Sequence, residues 1–322
     1  EDPTVNRLEV MAAERLGHEA ALFVTSGTMG NLAALLAHCG RGDEVILGDR
    51  SHTFRFEQGG MAALGGIMPH TVPNQADGTM RLSDIEAAVR PDDAHFPRSR
   101  LVCLENTHNL CNGVPLSVTY VNQVVDLAHR HGLSVHVDGA RIFNAAVALN
   151  VEVSELTQAV DSVTFCLSKG LCAPVGAVLC GSADFIAEAR RARKVLGGGM
   201  RQAGILAAAG VVALQQMTDR LAEDHARAKR LAEGLTEIPG IHVRPVFTNI
   251  LYFDLAEDVS VSGDVSVSGD VPMTPEALVA ELKARAVLLL ARVGRSFRAV
   301  THYWIDDAGI DQALAAFRAI LA

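Results

Sequence analysis

No apolar run in this sequence reaches the roughly 20 residues that a membrane-spanning helix needs, because glycine, histidine or charge interrupts every candidate. Basic charge is not in excess either. The formal net charge is −9, and lysine and arginine are scattered apart from Arg190-Arg191-Ala192-Arg193-Lys194, which lies in a helix-patterned segment. That balance argues against nucleic acid or an anionic membrane surface as a partner. The six cysteines (Cys39, Cys103, Cys111, Cys166, Cys172, Cys180) contain no Cys-x-x-Cys pair and no small-domain framework. Several sit inside strand-like runs, where they read as buried free thiols of a protein in a reducing cytoplasm. No signal-peptide pattern is visible, and the chain, which opens at Glu1, is expected to lack natural residues upstream. What is present is a composition of 49% hydrophobic and 20% charged residues, which suits a compact protein with a sizeable core. A length of 322 residues suggests one large domain, expected over 1–215, and a smaller one over 216–322.

The first half alternates strand and helix. Asp2-Pro3-Thr4 reads as an N-cap with proline at the first helical position, opening a helix that ends near Gly17. Ala21-Leu-Phe-Val-Thr25 reads as a strand, followed by Ser26-Gly27-Thr28 and an apolar helix over 31–38. Further short strands are expected at 44–47, 100–104 and 134–137. Ser83-Asp-Ile-Glu86 has the spacing of a capping box before a helix to Val89. Short apolar strands alternating with helices predict a largely parallel sheet covered on both faces. From Gly204 to about Leu235 the pattern predicts one long helix. A smaller unit follows, with strands at 249–253 and 298–304 and helices at 275–285 and 311–320. Val259-Ser-Val-Ser-Gly-Asp264 is repeated at once over 265–270, and reads as a solvent-exposed loop expansion rather than a repeat fold.

The chemistry concentrates at two strand ends. Ser162-Val-Thr-Phe-Cys-Leu-Ser-Lys169 is a β-forming run that closes on a lysine, and a lysine shielded from water there can present a neutral, nucleophilic amine. Val135-His136-Val137-Asp138 is a second strand, ending in an acid. Together they resemble the parts that hold pyridoxal phosphate, a lysine for the aldehyde and a carboxylate for the pyridine nitrogen. Asp138 could simply cap the helix that follows, but ligands of α/β proteins gather at the carboxyl ends of strands. Ser26-Gly27-Thr28, between a strand and a helix, suits a phosphate: glycine admits it to the backbone and the first-turn N–H groups point outward. Arg141 is placed either on a helix surface or facing the same site, and His52 either in an ordinary loop or over a flat cofactor ring. His95, in Asp92-Asp-Ala-His95-Phe96, carries no signal from spacing.

These segments resemble the low-specificity L-threonine aldolases of the pyridoxal-phosphate fold type I, or aspartate-aminotransferase-like, superfamily. The resemblance rests on Glu1-Asp-Pro-Thr-Val-Asn-Arg-Leu-Glu9, Ser26-Gly-Thr28, Phe56-Glu-Gln-Gly-Gly60, Asp92-Asp-Ala-His-Phe96 and Leu104-Glu-Asn-Thr-His-Asn109. It continues through His136-Val-Asp-Gly-Ala-Arg-Ile-Phe-Asn144, Cys166-Leu-Ser-Lys-Gly-Leu171, Gly197-Gly-Gly-Met-Arg-Gln202 and Arg298-Ala-Val-Thr-His302. It implies an α/β fold with a mostly parallel seven-stranded sheet in the large domain and a small C-terminal α+β domain. It further implies that Lys169 bonds the cofactor's aldehyde, Asp138 pairs with the pyridine nitrogen, Arg141 meets the phenolic oxygen and His52 stacks on the ring. Ser26, Gly27 and Thr28 would hold the phosphate, Arg298 the substrate carboxylate, and His95 the substrate's β-hydroxyl. Lys194 and Arg201 would reach into the neighbouring subunit's site, implying a homodimer or dimer of dimers with shared active sites and no metal. The implied reaction is cleavage of L-threonine or L-allo-threonine to glycine and acetaldehyde, with His52 or His95 as the base. The rivals are β-elimination on the same fold and an inactive subunit that lacks a short upstream Arg-Ser-Asp-like segment. Cys172 departs from the family pattern, in which a glycine follows Ser-Lys-Gly-Leu.

Overall fold

The structure, a computed structural model, describes residues 2–257 and 273–321. The duplicated segment at 259–270 lies outside the described residues. Two compact units divide the chain, Glu1–Leu221 and Ala222–Ala322. In order, the first contains α1 (Pro3–Leu16), β1 (Ala20–Val24), α2 (Gly27–His38), β2 (Glu44–Gly48), α3 (His52–Arg55), β3 (Met68–Val72), α4 (Leu82–Ala88) and β4 (Ser99–Glu105). It continues with α5 (Val118–Arg130), β5 (Ser134–Asp138), α6 (Ile142–Leu149), α7 (Val153–Thr157), β6 (Ser162–Cys166), β7 (Ala177–Gly181), α8 (Ala183–Val195) and α9 (Gly204–Gln216).

Local chemistry sets the helix ends that matter. Asp2 Oδ1 accepts from the Thr4 N–H at 2.8 Å, Pro3 supplies the first helical φ, and Gly17 closes α1 at φ +73°. Val5, Leu8, Ala12 and Leu16 then fall on one buried stripe. Seven strands form one sheet in the order β1-β7-β6-β5-β4-β2-β3. Neighbours from β6 through β3 are parallel, while β7 runs antiparallel to both β1 and β6. This is the mostly parallel α/β sheet that the sequence pattern predicts. Its strands β6 and β7 are buried along their whole length, which is why they read as unbroken apolar runs. The carboxyl edge of the parallel strands carries the polar residues: Glu105 ends β4, Asp138 ends β5, and β1 and β2 lead into Ser26 and His52.

The second unit comprises α10 (Leu221–Thr236), β8 (Ile241–Val243), β9 (Ile250–Leu255), α11 (Pro275–Ala284), β10 (Leu290–Ala291), β11 (Ser296–Val300) and α12 (Asp307–Leu321). Its antiparallel sheet, in the order β10-β11-β9-β8, packs Phe253 and Phe297 in a stacked pair against Leu278, Leu282, Leu314 and Phe317.

Three local expectations need correction. The capping box at Ser83 is not formed: α4 starts at Leu82 with Arg81 as its cap, because Leu82, Ile85 and Ala88 share the apolar stripe and draw the first turn upstream. A true box forms instead at Glu152 and Glu155. The long helix over 204–235 is two helices, α9 and α10. Thr218 breaks it, donating to Asp219 Oδ1 at 3.2 Å and accepting from Arg15 Nη2 at 3.1 Å, local bonding that competes with the helical ladder. The strand expected over 298–304 stops at Val300, where the Thr301 hydroxyl turns to the Asp224 carbonyl at 2.6 Å. All six cysteines are free, and all but Cys172 are buried.

Cys172 adopts φ +60°, in the left-handed region, in the turn closed by its N–H donating to the Lys169 carbonyl at 3.0 Å. A side chain there costs about 1–2 kcal/mol relative to the right-handed conformation, a cost that glycine avoids. Part of that gain is offset by the greater freedom of an unfolded glycine. Cys172→Gly is therefore expected to stabilise the protein by about 1 kcal/mol. Urea unfolding measures it, and a lowered midpoint would refute it.

Candidate active site

Asp138 closes β5 and is opposite Thr164 of β6, so the segment that continues from β6 to Lys169 leaves the same edge of the sheet. Both oxygens of Asp138 are engaged, although the residue is only 3% exposed. Oδ1 accepts from the Ala140 N–H at 3.1 Å and Oδ2 from Asn31 Nδ2 at 3.0 Å. The same Asn31 nitrogen donates to Glu57 Oε1 at 2.8 Å, so one buried amide ties two buried carboxyl groups together. His52 Nδ1 lies 3.0 Å from Glu57 Oε1 and 4.0 Å from Asp138 Oδ2. Glu105 fixes the loops on either side, accepting the His52 N–H at 2.6 Å and the Asn109 N–H at 2.8 Å.

The electrostatics follow from burial. Glu57 is pushed above the ordinary carboxyl range, chiefly by desolvation; its bonds with His52 and Asn31 pull the other way and the charge of Asp138 adds to the rise. His52 is also raised, first by its hydrogen bond to Glu57 and further by the charges of Asp138 and Glu105, with burial opposing. His52, Glu57 and Asp138 place donor atoms within 4.8 Å of one another, a set that could in principle hold a metal ion. The Asn31 N–H groups aimed at both carboxylates put the positive end of a dipole where a cation would have to sit.

Ser26, Gly27 and Thr28 open α2. Ser26 is the extended N-cap, with its Oγ accepting from the Met29 N–H at 3.1 Å. The Gly27 and Thr28 N–H groups precede the intrahelical ladder and are available to an anion. A Cβ on Gly27 would sit 2.8 Å from Cys166 Sγ, so the backbone approach that a phosphate needs is kept open by a steric demand from β6. Cys166 also reports what lies around it. Burial raises its thiol pKa, Lys169 and Arg141 lower it, and Asp138 raises it further, so all three charged groups are neighbours of this one sulfur. Lys169 itself is half-buried, and Arg141 is the N-cap of α6. The donor set therefore fits a flat, phosphorylated, pyridine-type cofactor: cradle, cation pair and buried acid converge within one unit.

Within the first unit, His95, Lys194 and Arg201 are not brought to this cluster. His95 is exposed, and its ring pairs with Asp93 at 2.6 Å. Lys194 and Arg201 are exposed and line a separate cavity of about 600 Å³ with Asp2, Arg190, Arg193 and Gln202. Arg298 belongs to the second unit, where it is half-buried on β11; desolvation lowers its pKa, Tyr252 opposes that, and its Nε is buried without a partner. Conversely, Asn31, Glu57, Glu105 and Cys166 are central although sequence reading assigned them no role. Glu57, Glu105 and Cys166 do fall in segments that carry the family resemblance, which is the signal that could have singled them out.

The β-eliminating lyase family model matches residues 1–258. A low-specificity L-threonine aldolase from Escherichia coli K12 is 45% identical over 322 residues, covering all of this chain and 90% of that protein. Low-specificity L-threonine aldolase 1 from Arabidopsis thaliana is 47% identical, covering 98% and 87%. Among solved structures, a threonine aldolase from Leishmania major superposes with a TM-score of 0.81 at 20% identity, covering 99% of this chain and 90% of that one. The fold is thus the aspartate-aminotransferase-like fold type I. No helix among the described residues is long and apolar enough to cross a membrane.

Because His52 is raised by its native partners, its contribution to stability is full below its unfolded value of 6.5 and is lost as pH rises through the higher folded value. His52→Asn should therefore destabilise the cofactor-free protein at about pH 6 and matter less at about pH 9. Denaturant titrations at the two pH values measure this, and a difference that grows with pH would contradict it.

Proposed function

This chain belongs to the β-eliminating lyase family, among its low-specificity L-threonine aldolases, and on that footing we propose that it cleaves L-threonine and L-allo-threonine to glycine and acetaldehyde with pyridoxal phosphate. The observation that supports the reading is that Asp138 and the segment from β6 to Lys169 leave one edge of the sheet, where Gly27 of the Ser26–Gly27–Thr28 turn packs against Cys166. In this reading Lys169 holds the cofactor covalently, Asp138 faces its ring nitrogen, Arg141 its phenolic oxygen and His52 the face of its ring. Ser26, Gly27 and Thr28 take the phosphate. The chemistry supplied by the bound cofactor is an electron sink for the pair left on Cα when the Cα–Cβ bond breaks.

The protein's own groups do the rest. A base removes the β-hydroxyl proton, the Cα–Cβ bond opens as the Cβ–oxygen double bond forms, and Cα takes up a proton to leave glycine. His52 is the favoured base. With Nδ1–H donated to Glu57, its Nε2 is the accepting nitrogen, and the paired carboxylate makes the imidazole more basic. His95 is proposed to meet the β-hydroxyl and so to weigh the two diastereomers. Arg298 is proposed for the substrate carboxylate; a buried guanidinium nitrogen without a partner calls for an anion. Exposed Lys194 and Arg201 are proposed to serve the neighbouring site of a homodimer or dimer of dimers. Six free thiols support a reducing compartment such as the cytoplasm.

The test is product analysis on the purified protein with added pyridoxal phosphate. Equimolar glycine and acetaldehyde are expected, Lys169→Ala should abolish them, and His52→Ala should lower kcat by about 10²–10⁴. Pyruvate and ammonia from cysteine or tryptophan derivatives, with no aldehyde from threonine, would replace this reading with β-elimination.

A further inference from the structure

Behind the carboxyl pair, an unbroken line of polar groups runs between α2 and the strands β5 and β6, buried except at its half-buried His38 end. His136 Nε2 lies 3.2 Å from Asn31 Oδ1, His136 Nδ1 lies 2.8 Å from Ser162 Oγ, and His38 Nε2 lies 2.8 Å from the same hydroxyl. Asn31, His136 and Ser162 are at most 1% exposed. Nothing in the proposed reaction uses them, and a line of this length could be mere filling of a polar seam.

Counting donors shows otherwise. Asn31 must turn its N–H groups to Glu57 and Asp138, because the flipped amide would set an oxygen against two carboxyl groups. Its Oδ1 therefore takes a donor, and among the described residues that donor is the Nε2–H of His136 at 3.2 Å. Burial lowers His136 to about 3 and His38 to about 4, so each ring is neutral and carries one N–H. With Nε2 protonated, His136 Nδ1 is an acceptor and takes the Ser162 hydroxyl proton. The Ser162 oxygen then accepts from His38 Nε2–H. Every hydrogen in the line thus points the same way, from His38 on α2's last turn toward the carboxyl pair.

We infer that Asn31 and His136 are positioning residues, and that the one-directional line His38–Ser162–His136–Asn31 holds Asp138 and Glu57 at their fixed spacing with hydrogen-bond donors aimed at both. Asn31 acts on the two acids, and His136 acts by locking the amide so that it cannot turn its oxygen toward them. Uniform polarity also lets each bond strengthen the next in a dry interior.

The first arm of the test is independent of any cofactor. Ring ¹⁵N spectra of the cofactor-free wild-type protein should show His136 and His38 as neutral Nε2–H tautomers at neutral pH. A protonated Nδ1 on His136 would reverse the line and overturn the inference. The second arm rests on the cofactor reading above. Asn31→Leu and His136→Phe should each weaken pyridoxal phosphate binding by about ten- to hundredfold and lower kcat, with KM little changed. His136→Gln, whose amide can still donate to Asn31, should recover most of the loss. Fluorescence titration of the cofactor-free proteins measures affinity, and their thermal unfolding shows whether the variants are folded. If the wild type binds the cofactor and folded Asn31→Leu binds it equally well, the inference falls. Equal loss in His136→Gln and His136→Phe would also overturn it. A wild type that fails to bind would instead sink the cofactor reading and leave the tautomer arm standing.

Discussion

Two carboxyl groups share one buried amide, and much of the first unit is arranged to make that tolerable. A carboxylate removed from water is costly unless donors replace its solvation. Here the donors come from parts of the chain far apart in sequence: the side chain of Asn31 on α2, the backbone of Ala140 after β5, and the ring of His52 on α3. None of these elements could supply the others' contribution. The order β4-β5-β6 in mid-sheet puts Glu105, Asp138 and the path to Lys169 on adjacent strand ends. The acid pair therefore depends on the sheet order, not on any local motif.

Legibility in the sequence follows the same division. Lys169, Asp138, His52 and the Ser26–Thr28 turn can be read because each follows or ends a strand, and strand ends are visible as apolar runs that stop. Asn31 cannot be read this way. It is a polar residue in the middle of a mostly apolar helix, and its meaning lies in partners 26, 105 and 107 residues away. His136 looks like any strand residue until Ser162 and Asn31 are placed on either side of it. The misplaced start of α4 and the missed break before α10 have one cause: a spacing that suits a cap, or a run of good helix formers, loses to a packed apolar stripe or to a buried threonine with side-chain partners.

Steric coupling adds a constraint that pattern reading also misses. Gly27 reads as flexibility, but its Cβ position is taken by Cys166 Sγ. Gly30, one turn on, faces Thr164 of the same strand, where a Cβ would meet Cγ2 at 2.6 Å. So α2 is seated on β6 at a distance only glycine permits. The same close seating brings the first turn of the helix within range of the segment that carries Lys169. The glycines that open α2 and the side chains of Cys166 and Thr164 that fill their Cβ positions are one feature, seen from the helix and from the strand.

The two acids differ in the donors that hold them, and the difference fits two tasks. Asp138 is held by a backbone N–H and by an amide that the line from His38 fixes in orientation; neither can give up its proton. Such donors suit a permanent counter-charge, the part proposed for Asp138 opposite a ring nitrogen. Glu57 shares that amide but takes its other bond from His52, a ring that can gain and lose a proton near neutral pH. Burial raises Glu57, and the bond to Glu57 raises His52, so both members of the pair hold a proton more tightly than they would in water. One amide thus divides a buried acid pair into a fixed charge and a proton-handling partner. The division needs no difference between the acids themselves, only a difference in what each is bonded to.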